Sequence, residues 1–408
     1  MSPPLRILHC LRTPIGGLFR HVYDLARDQA ELGLEVGVIC DATAAGEGND
    51  RALVRLADAC ALGVTRVAMP RQLGFGDWGA LGRVTRLADT LDIDILHGHG
   101  AKGGAYGRLA VRSLKRKGRE IKAIYTPHGG SLHFSPTKPL SRLYIAAERR
   151  LAPLTDGLIF ESVFASRRYT NLIGAPRCPV RIVPNGVHPQ EFYEPMLADD
   201  AADFVFVGEL RHLKGVDVFL EALAADRDVF PGRAIVVGSG PDEAAFKKLA
   251  RKLRLGATVS FIGAQPRQSA FSRARCLVPS RAESFPYIVL EAAAAGMPII
   301  ATNVGGIPEI VSGTHVPLIP PGDAKALAGQ MRAFLADPQP FLARAAELKT
   351  HVGEKFTVEI MTRDVVDFYD SCLDAAPRQA TILSRTRSSW PPRNSVQPGS
   401  DNGCLMKG

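Results

Sequence analysis

Val278-Pro-Ser-Arg-Ala-Glu-Ser-Phe-Pro-Tyr-Ile-Val-Leu-Glu-Ala-Ala-Ala-Ala-Gly-Met-Pro-Ile-Ile-Ala-Thr-Asn-Val-Gly-Gly-Ile-Pro-Glu-Ile-Val311 reads as a short strand, a turn, a helix and a second, buried strand. Pro286 suits the first helical position, where its missing N–H costs no hydrogen bond, with Ser284 as the cap just ahead of it. Gly296, followed by Pro298, closes the helix. Two carboxylates flank the helix start. Glu283 stands before it and Glu291 about two turns in, so roughly 8–12 Å of axis separates them. That span is long for a shared proton but suits gripping two ends of an extended ligand. Between them, the free backbone N–H groups of a helix N-terminus form a seat for phosphate. Hydroxyls, phosphate and hydroxyls, in that order, describe a sugar nucleotide.

Working outward, strands and helices alternate along most of the chain. Ahead of the quoted stretch come strands at 204–208, 234–238 and 258–262, with helices at 216–224, 242–254 and 267–274. Helices at 323–336 and 339–351 follow it. Nearer the N-terminus, short apolar strands at 5–9, 36–40, 64–68, 93–97, 121–125, 157–160 and 180–184 alternate with helical patterns at 16–33, 77–91, 102–117, 139–151 and 162–173. Such alternation predicts an α/β protein with parallel sheets covered on both faces. The turn-rich Pro184-Asn-Gly-Val-His-Pro-Gln-Glu-Phe-Tyr-Glu-Pro195 interrupts it. The expected division is a doubly wound domain over 1–185, a linker over 186–202 and a second such domain over 203–355. A last helix over 356–376 and a disordered Ser-, Arg- and Pro-rich tail over 377–408 complete the chain. Open α/β sheets bind ligands beyond the carboxyl ends of their strands, so two facing sheets put the site in the cleft between them.

The loops after strands carry candidate chemistry. Gly16 and Gly17, in Thr13-Pro-Ile-Gly-Gly17, let a phosphate or an acceptor approach backbone N–H groups, although a plain turn has the same composition. His97-Gly-His-Gly-Ala-Lys-Gly-Gly104 sets two histidines and Lys102 among four glycines. No acidic third ligand stands beside them, and no metal is expected there. His128 lies between Pro127 and Gly129-Gly130 at a strand's carboxyl end, facing the cleft. Gly208-Glu-Leu-Arg-His-Leu-Lys-Gly215 carries two fixed positive charges, Arg211 and Lys214, for which a solvated pair is the bland alternative. Val237-Gly-Ser-Gly-Pro-Asp-Glu243 starts like a dinucleotide fingerprint but lacks its third glycine and its later acidic residue, which argues against a nicotinamide cofactor.

The ordered run of Glu283-x7-Glu291, Ser-Phe-Pro between the carboxylates, the Ala-Gly-Met-Pro stop and Gly305-Gly-Ile-Pro-Glu309 resembles the signature of retaining glycosyltransferases of family 4, which have the GT-B fold. The resemblance extends over residues 5–375 and is densest in the second half. It implies two Rossmann-like domains facing across a cleft, with the final helix crossing back to the first. It further implies transfer of a hexose from a UDP- or GDP-sugar with retention of configuration, without metal or cofactor. On this resemblance, His128 contacts the donor sugar near the reacting carbon, and Arg211 and Lys214 stabilise the departing diphosphate. Glu283 holds sugar hydroxyls and Glu291 the ribose hydroxyls. Gly16, Gly17, Gly208, Gly238, Ser284, Phe285, Pro286, Tyr287 and Ile288 line the donor, and His99 and Lys102 the acceptor side.

Composition bounds the remaining choices. With 408 residues, 46% hydrophobic and 22% charged, the chain is globular. It has no apolar run of membrane-spanning length, and its N-terminus lacks the apolar core of a signal peptide. Seven cysteines are scattered without a Cys-x-x-Cys pair, so a reduced, cytoplasmic protein is expected. The net charge of +9 is concentrated, with +6 over 105–122, +3 over 138–150 and +4 over 378–408. No aromatic stacking stripe or recognition motif accompanies it, which argues against nucleic acid. An anionic membrane surface, or a lipid-linked saccharide acceptor of polysaccharide assembly, suits the stretch 105–150 better; a merely solvated basic face is the alternative. The competing functions are a sugar-nucleotide epimerase of similar fold and a non-catalytic scaffold that binds nucleic acid.

Overall fold

The computed structural model describes residues 3–43, 47–72, 74–129, 139–225, 232–277 and 283–373. Val278–Ala282 of the opening stretch, Gly130 and the tail expected to be disordered lie outside those residues. In the first half, β1 (Arg6–Leu11), α1 (Gly16–Glu31), β2 (Glu35–Asp41), α2 (Glu47–Ala59), β3 (Val64–Val67) and α3 (Gly76–Thr90) follow in turn. Next come β4 (Ile95–His99), α4 (Gly100–Lys115), β5 (Lys122–Thr126), α5 (Pro139–Leu151), β6 (Gly157–Phe160), α6 (Val163–Leu172) and β7 (Val180–Ile182). These seven strands form one sheet in the order β3-β2-β1-β4-β5-β6-β7, with every pair parallel. β1 and β4 are buried along nearly their whole length, as strands covered by helices on both faces must be.

The second half repeats the plan on a smaller scale. β8 (Ala202–Val207), α7 (Val216–Ala225), β9 (Ala234–Val237), α8 (Glu243–Lys252), β10 (Val259–Gly263), α9 (Arg267–Phe271) and β11 (Ala274–Leu277) build a parallel sheet in the order β10-β9-β8-β11. α10 (Tyr287–Ala294), β12 (Ala301–Thr302), α11 (Ile307–Val311), β13 (Leu318–Ile319), α12 (Ala324–Ala336), α13 (Gln339–Lys355) and α14 (Val358–Leu373) complete it. Strand order reverses between β1 and β4 in one sheet and between β8 and β11 in the other. Those are the points where open sheets leave a crevice beyond their carboxyl ends.

The chain passes between the two domains twice, and the two passages are bonded to each other. Val187 N–H donates to the Phe356 carbonyl at 2.9 Å, and Val358 N–H donates to the Val187 carbonyl at 3.1 Å. α14 then returns to the first domain. Its Met361, Val365, Val366, Phe368, Tyr369 and Cys372 join the core built by α1 and the first sheet. Each large apolar side chain so buried contributes about 1.5–3 kcal/mol. Among the described residues, no helix is long and apolar enough to cross a membrane.

Local boundaries moved where tertiary contacts prevail. The helix expected over 267–274 stops at Phe271, because Ala274–Leu277 is drawn into the second sheet beside β8. α2 was not anticipated. Pro286 is the residue before α10 rather than its first, with φ −78° and ψ 123°, and makes no side-chain cap bond. Glu291 therefore stands about one turn into the helix, not two. Ser284 does not cap; its hydroxyl donates to Glu161 at 3.1 Å.

Candidate active site

On the second domain, the site is assembled from three loops whose backbones touch. Gly238 has φ +139°, and a Cβ there would lie 1.9 Å from the Gly208 carbonyl oxygen, so the loops after β8 and β9 meet only because this residue is glycine. The loop after β8 then makes a single 3-10 turn, His212–Lys214, closed by left-handed Gly215. This turn aims Lys214 at Glu283, 69 residues further along, with Nζ 2.6 and 2.7 Å from the two carboxylate oxygens. Gly305, at φ +57°, abuts the Glu283 carbonyl, and Gly306 N–H donates to the Ser284 carbonyl at 2.6 Å. The Gly-Gly-Ile-Pro-Glu segment thus fixes the backbone that presents Glu283. Arg211 is not drawn into the pair; its guanidinium is half exposed and lies 3.7 Å from Glu209.

The first domain closes the other side. Gly17 lies against the Tyr287 ring, at 3.5 Å from a Cβ built on it. One turn further into α1, Arg20 pairs with Glu291, with Glu191 and, through Nε at 3.2 Å, with Asp24, while its guanidinium stacks 4.4 Å from the Tyr287 centroid. Burial works against this charge, but Glu191 and Asp24 outweigh it and hold the guanidinium protonated. Arg267 also reaches Glu291, at 2.9 Å. The carboxylate expected at the ribose is therefore paired with two arginines, both at Oε1. Glu309 accepts from Val163 N–H at 2.7 Å and Phe164 N–H at 2.9 Å, so a second-domain carboxylate caps α6 of the first.

Beneath the cleft lies a cluster of imidazoles. His9 and His97 are register partners on β1 and β4, and His99 follows two residues on, so all three face the same side of the sheet. His128, in the left-handed region at φ +51°, sets Nε2 2.9 Å from His99 Nδ1 and turns Nδ1 onto Glu161. Burial pushes the Glu161 carboxyl up, but His128, His21 and the Ser284 hydroxyl more than offset this and hold it below the usual range. The buried imidazoles are pushed down by desolvation, His9 to about 4 and His21 to about 3.

Lys102 does not join His99. It is tied to Asp77 and to the Gln72 carbonyl at 2.9 Å on the outer side of α4, because helical geometry points it away from the sheet. His99 is buried behind His128 rather than lining the cleft. The glycines of that loop serve packing: a Cβ on Gly103 would sit 2.2 Å from the Cys10 carbonyl oxygen, and one on Gly104 would sit 2.2 Å from the Tyr125 ring. The basic stretch is also less exposed than its count implies. Arg108 is buried in a two-bond pair with Glu148, stacked 4.1 Å over Tyr125, and Lys115 is held by Asp156 at 2.7 Å.

Arg20, His21, Glu161 and Asn185 went unread in the sequence. The available signals were a carboxylate directly after the buried strand β6, and Arg20-His21 one turn beyond the paired glycines.

Two Rossmann-like domains, with a lysine–carboxylate pair and a histidine-floored cleft at their facing switch points, define a GT-B glycosyltransferase. The family profile described as Glycosyltransferase Family 4 matches residues 15–191, and that described as Glycosyl transferases group 1 matches residues 189–354. D-inositol 3-phosphate glycosyltransferase 2 of Catenulispora acidiphila is 30% identical over 397 residues, covering 86% of this chain and 91% of that one. The chain belongs to this glycosyltransferase family. Glycogen synthase of Mycobacterium tuberculosis is 27% identical over 383 residues, covering 87% and 91%. The fold matches that of Anabaena HepE in complex with UDP and glucose, with a TM-score of 0.75 and 17% identity over 90% of this chain and all of that one.

Proposed function

We propose that this glycosyltransferase moves a hexose from a UDP- or GDP-sugar to a saccharide acceptor with retention of anomeric configuration. The observation that carries the reading is the Lys214–Glu283 pair, held where the loops after β8 and β11 meet. Without donor, each is the other's counter-ion. With donor bound, the ammonium turns to the departing diphosphate and the carboxylate to the sugar hydroxyls. Arg211 supplies a second positive charge from the same turn. The backbone N–H groups at the start of α10 support the phosphate. Glu291 takes the ribose hydroxyls through Oε2, since both arginines meet Oε1.

In the route assigned, the acceptor oxygen bonds to the anomeric carbon from the face the diphosphate leaves. The departing phosphate oxygen accepts the acceptor's proton, and no carboxylate base is needed. His128, held by Glu161 through Nδ1, contacts the donor sugar near the reacting carbon. With Arg211 and Lys214 as the charges on the leaving group, turnover requires no added Mg²⁺ or Mn²⁺.

For the acceptor, we infer a lipid-linked saccharide of exopolysaccharide, capsule or lipopolysaccharide assembly, met at the cytoplasmic membrane face. An apolar cavity of about 460 Å³ between α3, α4 and α5, lined by Trp78, Leu81, Tyr106, Leu109, Tyr144 and Leu151, supports this reading. Phe75 and Trp78 stand 96% and 71% exposed at the start of α3. Arg112, Arg116, Lys117 and Arg150 are exposed on or just beyond α4 and α5.

Incubation with a panel of UDP- and GDP-sugars, following release of the nucleoside diphosphate, tests the donor assignment. Slow hydrolysis of one donor, with or without added Mg²⁺, is expected. Silence across the panel, with no binding by calorimetry, would return the chain to the non-catalytic reading. Flotation with vesicles tests the acceptor side, and indifference to anionic lipid would sink it.

A further inference from the structure

In the sequence, the loop 97–104 lacks a third ligand, and the family resemblance implies transfer without a metal. The fold brings further imidazoles to His99 from α1 and from the loop after β5. His21, His99 and His128 each offer a ring nitrogen, and these atoms lie within 4.8 Å of one another. Ring centroids are 4.7 Å apart for His21–His128, 5.2 Å for His99–His128 and 5.7 Å for His21–His99.

The hydrogen bonds around these rings determine which nitrogens carry protons. Asn185 Nδ2 donates to the Phe285 carbonyl at 2.9 Å, so its Oδ1 faces His21 Nδ1, also at 2.9 Å. His21 therefore carries its proton on Nδ1 and presents a lone pair at Nε2. That atom is buried, in a residue 1% exposed, and has no hydrogen-bond partner among the described residues. His128 gives its Nδ1 proton to the Glu161 carboxylate, which turns Nε2 toward the same point. His9 Nε2 donates to Gln29 Oε1 at 2.8 Å, so His9 Nδ1 accepts from His99 Nε2 at 2.9 Å, and His99 Nδ1 is left as an acceptor. Each inward nitrogen thus belongs to a ring oriented by an outer acceptor: Asn185, Glu161 and His9. Histidine ligands of metal ions are oriented in this way.

We propose that His21, His99 and His128 hold a divalent zinc-class ion through His21 Nε2, His99 Nδ1 and His128 Nε2. The ion replaces the one proton shared between His99 and His128, whose nitrogens are 2.9 Å apart, and that proton leaves to solvent. Zn–N bonds of about 2.0–2.1 Å require nitrogens about 3.3 Å apart, so the rings must turn to bring nitrogens that now lie within 4.8 Å of one another onto the ion. Three imidazoles favour Zn²⁺, Co²⁺ or Ni²⁺ over the oxygen-seeking Mg²⁺ and Mn²⁺. His9, His97 and His99 also converge, but both His97 nitrogens are engaged, by Tyr369 at 2.6 Å and Thr126 at 2.9 Å, and among the described residues that set offers no unpartnered buried nitrogen like His21 Nε2. The ion would pin α1, the end of β4 and the His128 loop together as the floor of the cleft.

Untagged, full-length protein is stripped with chelator, then titrated with Co²⁺ followed by its visible d–d absorption, and with Zn²⁺ followed by elemental analysis. One equivalent per chain with the intense bands of a low-coordinate cobalt site is expected. His21→Ala should abolish those bands, while His315→Ala, at an exposed histidine remote from the cluster, keeps them. Asn185→Leu, which leaves all three ligands in place, should weaken Zn²⁺ binding about tenfold or more. Circular dichroism of each variant separates lost binding from lost fold. Uptake well below one equivalent by the wild-type chain would overturn the proposal, and so would Co²⁺ bands that persist in folded His21→Ala. Both readouts are independent of turnover, so the proposal and the donor assignment fail separately.

Discussion

At the scale of single residues, the Lys214–Glu283 contact makes the sharpest demands. Glu283→Ala and Lys214→Ala should each lower turnover at least about tenfold, equivalent to ~1.4 kcal/mol of barrier, with circular dichroism unchanged. Because each residue is the other's partner, the double variant should lose less than the product of the single losses. Near-normal rates in both single variants would remove the pair from the mechanism. The pair also marks how far a linear reading extends. Lys214 is legible as a fixed charge in a loop after a strand, and Glu283 as a carboxylate just ahead of a helix start, since strand ends and helix starts show in apolar runs and turn residues. That they touch was not legible, since nothing local encodes a partner 69 positions away. Arg20, which meets Glu291 across the cleft, and Glu161, which turns His128, were missed for the same reason.

At the scale of elements, glycines and helix seams decide where loops can sit. Gly305 combines a left-handed φ of +57° with a Cβ position 1.9 Å from the Glu283 carbonyl oxygen, whereas Gly313 has φ +86° and a Cβ position whose nearest non-adjacent neighbour among the described residues, His351, is 3.9 Å away. Gly313→Ala should cost about 1–2 kcal/mol from backbone strain alone. Gly305→Ala should lower Tm further and reduce activity as well. Equal melting losses in the two would show that the contact is unimportant. The seam between α1 and α14 makes a separate prediction. Burial raises the Asp28 carboxyl to about 6, and the Thr362 hydroxyl on α14 approaches it at 3.5 Å. An acid whose native pKa exceeds its unfolded value favours the fold when protonated. That contribution is present below pH ~4 and is lost as pH climbs through about 6. Asp28→Asn should therefore leave Tm near pH 4 unchanged and raise it by about 2 °C at pH 8. Boundaries were the least legible feature at this scale. Phe271, Ser272 and Arg273 continue a helical pattern, and only pairing with β8 makes Ala274 the start of a strand.

For the whole molecule, hydrogen bonds such as Ser284 to Glu161 and Asn185 to Phe285 join the two domains, and so do charged contacts, Arg20 to Glu291 and Glu309 to the start of α6. Removing the charged contacts with Arg20→Ala plus Glu309→Gln should shift the molecule toward an open form. The expected result is a larger radius of gyration in small-angle scattering and a raised KM for donor, with a smaller change in kcat. An unchanged radius would mean that closure is set by the paired passages at Val187 and Phe356 instead. The return of α14 has a further consequence for synthesis on the ribosome. The core that begins with Leu5 and Ile7 is completed by Val365, Phe368 and Tyr369, more than 350 residues later. The first domain emerges early but must wait, with an uncovered apolar face, until translation is nearly over. A nascent chain arrested before residue 356 should carry that face to chaperones and proteases, while one released after residue 373 should not.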